Sequence, residues 1–216
     1  GRYVDDGSGA AQLDGLDYLV FVTPGLLVAS VMQAAAADSL WPVMAGLKWF
    51  GSFNAMVNTP LAPGDVFGGR TVWTGVRAGI SAVAFVIVAA AFGGIVSWWG
   101  VLAIPVAILT ALAFAAPMAA YASGCETDQS FSIIMRLAIV PLFLFSGTFF
   151  PVSQLPEAVQ PLAWLSPLWH GVEPARAFTT GQIDWPLTGV HLAILRALVV
   201  LGWHWGTRRF TERLTP

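Results

Sequence analysis

Forty-eight consecutive residues, Ala78 to Cys125, contain no Asp, Glu, Lys or Arg. A water-facing domain carries a charge at roughly one position in four, so this stretch cannot supply both the surface and the interior of a soluble fold. It is also more than twice the roughly 20 apolar residues with which a helix crosses the hydrocarbon core of a bilayer. The Ser97-Trp98-Trp99-Gly100 cluster divides it, because paired Trp favours the membrane interface and Gly favours a turn. A hairpin of two membrane helices follows. The rest of the chain agrees, with 56% of its 216 residues hydrophobic and 10% charged. A net charge of -2 lacks the basic surface of a nucleic-acid binder. One cysteine, Cys125, excludes a disulfide framework and any Cys-rich metal site, and three scattered histidines show no zinc-binding spacing.

Other uncharged runs locate further spans at Tyr18–Ala37, Leu137–Pro156 and, interrupted only by Arg196, Pro186–Thr207. Backbone groups in lipid must be satisfied within the segment, so each span is expected to be helical. The expected fold is an all-α polytopic membrane protein, one domain over 1–216, with five transmembrane helices at 18–40, 77–97, 100–122, 134–151 and 185–207. Segments 41–76, 123–133 and 152–184 join them, and 1–17 and 208–216 are tails. Pro24, Pro105, Pro117 and Pro141 predict kinks where neighbours or water take up freed carbonyls.

Basic residues set the orientation. Lys48, Arg70, Arg77, Arg136, Arg208, Arg209 and Arg213 all fall on one side of this topology, and Arg2 and Arg176 on the other, with most of the acidic residues. The C-terminus is therefore expected in the cytoplasm and segment 1–17 outside. That segment, polar and Gly-rich, lacks the basic and apolar regions of a signal peptide. Because residue 1 is Gly and a cytoplasmic N-terminus requires even parity, one further helix is expected upstream, making six in the intact chain.

Two stretches depart from simple loops. Trp41 to Gly69 is apolar but broken by Pro42, Pro60 and Pro63; Leu47, Phe50, Phe53, Met56 and Val57 favour a short amphipathic helix ended at Thr59-Pro60. It either rests on the inner membrane face or docks a cytoplasmic partner. Pro151 to Asp184, on the outer side, holds Leu155, Val159, Leu162, Trp164, Leu168 and Trp169 between prolines. Each piece is too short to span, which fits short helices dipping into or lying on the outer leaflet.

These stretches, in this order, resemble the permease subunits of ABC type-2 exporters, in particular the daunorubicin-resistance and nodulation lipooligosaccharide export permeases. The likeness is carried by Tyr18-Leu19-Val20-Phe21-Val22-Thr23-Pro24-Gly25-Leu26, by Asn58-Thr59-Pro60-Leu61-Ala62-Pro63-Gly64-Asp65 with Gly69-Arg70, and by Ser146-Gly147-Thr148-Phe149-Phe150-Pro151. Leu155-Pro156, Pro161-Leu162, Ser166-Pro167-Leu168, His170 and Arg176 extend it. The resemblance implies helices two to six of a six-helix half-transporter that pairs with a second permease copy or homologue. It implies a separate cytoplasmic ABC ATPase, bearing the ATP and Mg, that binds a coupling helix between the second and third helices. It also implies short re-entrant helices before the last span, and a bacterial inner-membrane location. The coupling set is then Phe50, Phe53, Met56, Asn58, Thr59, Pro60, Leu61, Asp65 and Arg70.

No Walker loop GxxxxGK[ST] occurs, so no nucleotide site of that kind, and no catalytic, cofactor or metal residue, is assigned to this chain. Glu126 and Asp128 fit a solvated turn better than paired acid/base carboxylates. Ser30, Ser81 and His191 could be cast as a membrane hydrolase, but no pattern supports it. Arg196, near mid-span, costs about 2.5–3.5 kcal/mol against lipid on insertion scales and is expected to face the bundle interior or water. Phe21, Thr23, Met32 and Gln33 of the first span, with Phe145, Ser146, Phe149 and Phe150 of the fourth, are the candidate path for an amphiphile. The leading function is an ATP-driven exporter permease for a lipid-like or drug-like substrate; the alternative is an ATP-independent channel or intramembrane enzyme.

Overall fold

A computed structural model describes residues 16–157 and 160–215. The expected outer tail 1–17 lies outside them apart from its last two residues, as do Ala158 and Val159 of segment 152–184. Among the described residues all regular structure is helical. Helix α1 runs Tyr18–Trp49, its last turn Ala45–Trp49 being a π turn; α2 is Ser52–Val57; α3 is Pro63–Ala91. Helix α4, Trp98–Gly124, opens with a 3-10 turn, and α5 is Gln129–Phe145. The short helices α6, Gln160–Leu165, and α7, Trp169–Thr180, precede α8, Trp185–Leu214.

Against the five spans expected, four helices, α1, α3, α4 and α8, are long and apolar enough to cross a membrane. The fifth segment forms the shorter α5, whose 17 residues extend about 25 Å. It ends at Phe145 because the chain turns at Ser146-Gly147, where Gly147 has φ +78°, a left-handed conformation that disfavours other residues. Helix α1 is longer than its run of uncharged residues, continuing through Asp38 and Pro42 to Trp49. Residues 41–76 are thus shared among the end of α1, α2 and the first half of α3.

Helix α1 is the most buried of the long helices, and α4 packs along it. Ala103, Ala107, Ala111 and Ala115, four apart on α4, are all buried, and such small residues let backbones approach where lipid supplies no hydrophobic drive. They meet Val28, Val31, Met32 and Ala35 of α1 in the main core. A second core gathers Leu40, Met44, Phe53, Phe67, Phe131 and Phe210 at the opposite end from Tyr18. Helix α8 contributes one stripe to the interior: Thr188, His191, Leu195, Gly202, Gly206, Phe210 and Leu214. Gly202 is needed there because a Cβ would stand 3.0 Å from Pro117 N and from Ala116 Cβ.

At the basic end a single carboxylate ties three elements. Glu126, between α4 and α5, pairs with Lys48 of α1 and, at 3.0 Å, with Arg213 of α8. The hydrogen bond from Lys48, then the charge of Arg213, hold the Glu126 carboxyl below the ordinary glutamate range. A depressed folded-state pKa contributes stability above the unfolded pKa and loses it as pH falls through the folded one. The melting temperature of Glu126→Gln is therefore expected to lie below that of the parent at neutral pH and to converge with it in acid. The gap should also shrink with added salt, since the group is exposed. A pH-independent gap would exclude this clasp.

Candidate functional site

The residues expected to couple to a partner are divided by the fold. Helix α2 is entered through Gly51, at φ +62°, and is fixed by Phe53. That ring, 8% exposed, lies over Gly46, where a Cβ would come within 2.7 Å of it, and 5.9 Å from the ring of Phe210. Asn54 Nδ2 adds a bond to Leu47 O at 3.2 Å. Phe53 is thus an inward anchor and not an outward knob, because the π turn brings Gly46 beneath it. Facing outward are Phe50, 81% exposed in the turn before α2, and Met56 of α2, 43% exposed. Asn58, Thr59, Pro60 and Leu61 follow, all exposed, with Thr59 Oγ1 bonded to Met56 O at 2.5 Å. Asp65 accepts from Ala62 N at 2.9 Å, so it caps the start of α3. Arg70 turns inward to Asp38 of α1.

The candidate path residues are not one lining. Phe21 is buried beneath the Arg176 guanidinium, 4.0 Å from its centroid, and Thr23 Oγ1 bonds Leu19 O at 2.6 Å. Met32 is fully enclosed in the main core, and Gln33 is half-buried. Ser146 is buried and shares a 2.6 Å hydrogen bond with Ser166. Phe149 packs edge-on to Phe143 at 5.1 Å, and Phe150 lies against Val152, Leu155 and Ala163. Phe145 is exposed beside a largely apolar cavity of about 430 Å³ that includes Leu137, Pro141 and Ser146.

Arg176 joins two of these groups. It donates to Gly147 O and, at 2.7 Å, to Glu173 Oε1, while its face covers Phe21. The turn 146–151 is thereby held against α1, so closely that a Cβ on Gly25 would stand 2.8 Å from Thr148 Cα. Sequence reasoning missed this clamp; its signal was a lone Arg three residues after Glu173 in an apolar segment. It also missed that His170 and His191, 21 positions apart, meet with Nδ1 atoms 2.7 Å apart under Trp169. Burial, partly offset by a backbone hydrogen bond to Trp164, lowers the pKa of His170 and keeps it neutral at pH 7. Among the described residues no three His, Cys, Asp or Glu side chains gather as a metal site.

Arg196 does not face the interior of this chain. It is exposed on α8 beside Ala193, Ala197 and Val200. The reason is periodicity: Leu195 occupies the buried stripe, and the next residue is turned about 100° away from it.

Four helices long and apolar enough to cross a membrane, with a short helix at the basic end and a clamped group of short helices at the other, fit a polytopic membrane protein. Residues 5–178 match the ABC-2 type transporter family, and the chain belongs to it. It is 29% identical over 208 residues to Nodulation protein J of Rhizobium meliloti (strain 1021), covering 95% of this chain and 78% of that one. Against Nodulation protein J of Sinorhizobium fredii it is 32% identical over 189 residues, 87% of this chain and 71% of the relative. Against the inner membrane transport permease YadH of Escherichia coli (strain K12) it is 26% identical over 205 residues, 91% and 78% of the two chains. The chain is a membrane transport component, and its family works with ABC ATPases.

Proposed function

We propose that this chain is the permease of an ATP-binding-cassette exporter that moves an amphiphilic or lipid-like substrate outward across the bacterial inner membrane. The power comes from a separate cytoplasmic ATPase that holds the ATP and Mg. The observation that carries the reading is the segment from Phe50 through α2: a helix too short to be stable alone is pinned by Phe53, and Met56 on it and Phe50 in the turn before it are offered to solvent at the basic end. Exposed large apolar side chains on a rigid support are what a docking partner covers. In this reading the basic end is cytoplasmic, α5 and the turn after it form the fourth span, and α6 and α7 are re-entrant helices at the outer exit. A second permease copy completes the transporter. The substrate class is supported by kinship with nodulation proteins and by the largely apolar cavity beside exposed Phe145.

Copurification tests it. Met56→Asp is expected to weaken ATPase association by about thirty-fold or more, the equivalent of about 2 kcal/mol at a hot spot, and to stop export, while the permease still inserts. Phe50→Asp should act likewise. Phe53→Asp should instead lower the melting temperature, since it strikes the core. Full assembly and export in Met56→Asp and Phe50→Asp would refute the docking assignment.

A further inference from the structure

Asp38 lies on α1 four residues before Pro42. A proline has no N–H to give the carbonyl one turn back, so Asp38 O loses its helical donor. Arg70 Nη2 of α3 supplies the substitute at 2.6 Å. Two turns along the same face of α3, Arg77 Nη1 holds the Asp38 carboxylate at 2.6 Å. Buried Thr74 lies between them, its Oγ1 bonded to Arg70 O at 3.2 Å. Two arginines, whose backbone positions are about 10.5 Å apart along one helix, thus grip the backbone and the side chain of one residue on another. A single tether would leave α3 free to swivel on α1; two remove both swivel and slide.

The location gives the grip a consequence. Helix α3 begins at Pro63, directly after the exposed segment 58–61, and its second turn carries Arg70. On the other side of the grip is α1, buried through Leu40, Val43 and Met44. Arg70 Nε is buried without a hydrogen-bond partner among the described residues, which leaves a donor for a different acceptor once the helices shift. We propose that Arg70, standing in for the N–H that Pro42 lacks, and Arg77 together make Asp38 a transmission brace that passes movement of the docking segment to α1. The brace rests on the docking role assigned above. Asp38, Arg70 and Arg77 are positioning residues that touch neither nucleotide nor substrate.

A plain structural salt bridge and a transmission brace predict different results for one cycle of variants: the parent, Arg70→Gln, Pro42→Ala and the double variant. Pro42→Ala returns an N–H to Asp38 O within α1. Melting temperature should fall in Arg70→Gln and recover in the double variant. Each full-length protein is then assembled with its ATPase in proteoliposomes, and association and permease-dependent MgATP hydrolysis are measured. Hydrolysis is expected to fall by about five-fold or more in Arg70→Gln, the lower range of coupling between sites, and to stay low in the double variant although its stability is restored. Asp38→Arg with Arg77→Asp, which re-forms the pair with reversed polarity, should regain most of the hydrolysis lost in either single variant. Recovery of hydrolysis together with melting temperature in the Arg70→Gln/Pro42→Ala protein would reduce the brace to a fold-holding contact and overturn the proposal. So would a melting loss in Arg70→Gln that Pro42→Ala leaves unrepaired. Failure of the parent permease to bind its ATPase is read separately, in the association assay, and would overturn the docking role and the brace together.

Discussion

Gly171→Val is expected to leave little stably folded protein. Gly171 is buried in α7 where that helix crosses both α1 and α4. A Cβ there would stand 2.9 Å from Val28 Cγ1 and 3.0 Å from Thr110 Cγ2, and both Val28 and Thr110 are fully enclosed. Overpacking of a tight core costs about 1–3 kcal/mol and sometimes more, against a total stability of about 5–15 kcal/mol. Gly171→Ala should fall within that range, and the valine, with two further carbons, beyond it. Thermal unfolding of the purified protein in detergent measures both. A valine variant that melts like the parent would show that α7 does not cross in backbone contact.

Arg176→Met is the second large effect. Methionine keeps the apolar stem and removes a guanidinium that is nine-tenths buried. Left behind are the Gly147 carbonyl, the Phe21 face and the Glu173 carboxylate. Breaking a buried pair by deleting one partner costs about 3–5 kcal/mol. Glu173 retains 37% exposure and can be rehydrated, so the lower end, about 3 kcal/mol, is expected. Glu173→Gln should cost far less, since Arg176 keeps its carbonyl and aromatic partners. Protease sensitivity near residues 146–151 should rise in Arg176→Met and not in Glu173→Gln. Equal losses in the two variants would make the ion pair, and not the clamp on the turn, the stabilising contact.

What could be read from the residues was set by period and charge. Uncharged runs predicted the four long helices because a bilayer imposes a length and forbids charge. The same rule drew α1 too short. Asp38 and Pro42 look like terminators, and only a donor from a helix 32 residues downstream makes them tolerable. The end of α5 was invisible for a similar reason: apolar residues continue past Phe145, but the Gly147 carbonyl is taken by Arg176 of another helix. Phe53 and Met56 look alike on an amphipathic helix, and the π turn that slides Gly46 under one of them carries no sequence signature. Arg196 is expected inward because charge avoids lipid, but the helical period gives the buried stripe to Leu195 and turns Arg196 outward. Of the blocks that carried the resemblance, Asn-Thr-Pro-Leu and Ser-Gly-Thr-Phe-Phe-Pro sit at turns, and Thr23-Pro24 lies inside α1.

The clasp at Glu126 has a meaning in time as well as in space. Its three members are made in the order Lys48, Glu126, Arg213, the last of them in the final turn of α8. During synthesis α1 and α4 can pack as soon as both have emerged, closing the core at its centre. The basic ends of α1, α4 and α8 are locked to one another only when the ribosome has delivered that final turn. A nascent chain that stalls before Arg213 lacks the last of these ion pairs, so the basic end is fastened after the middle.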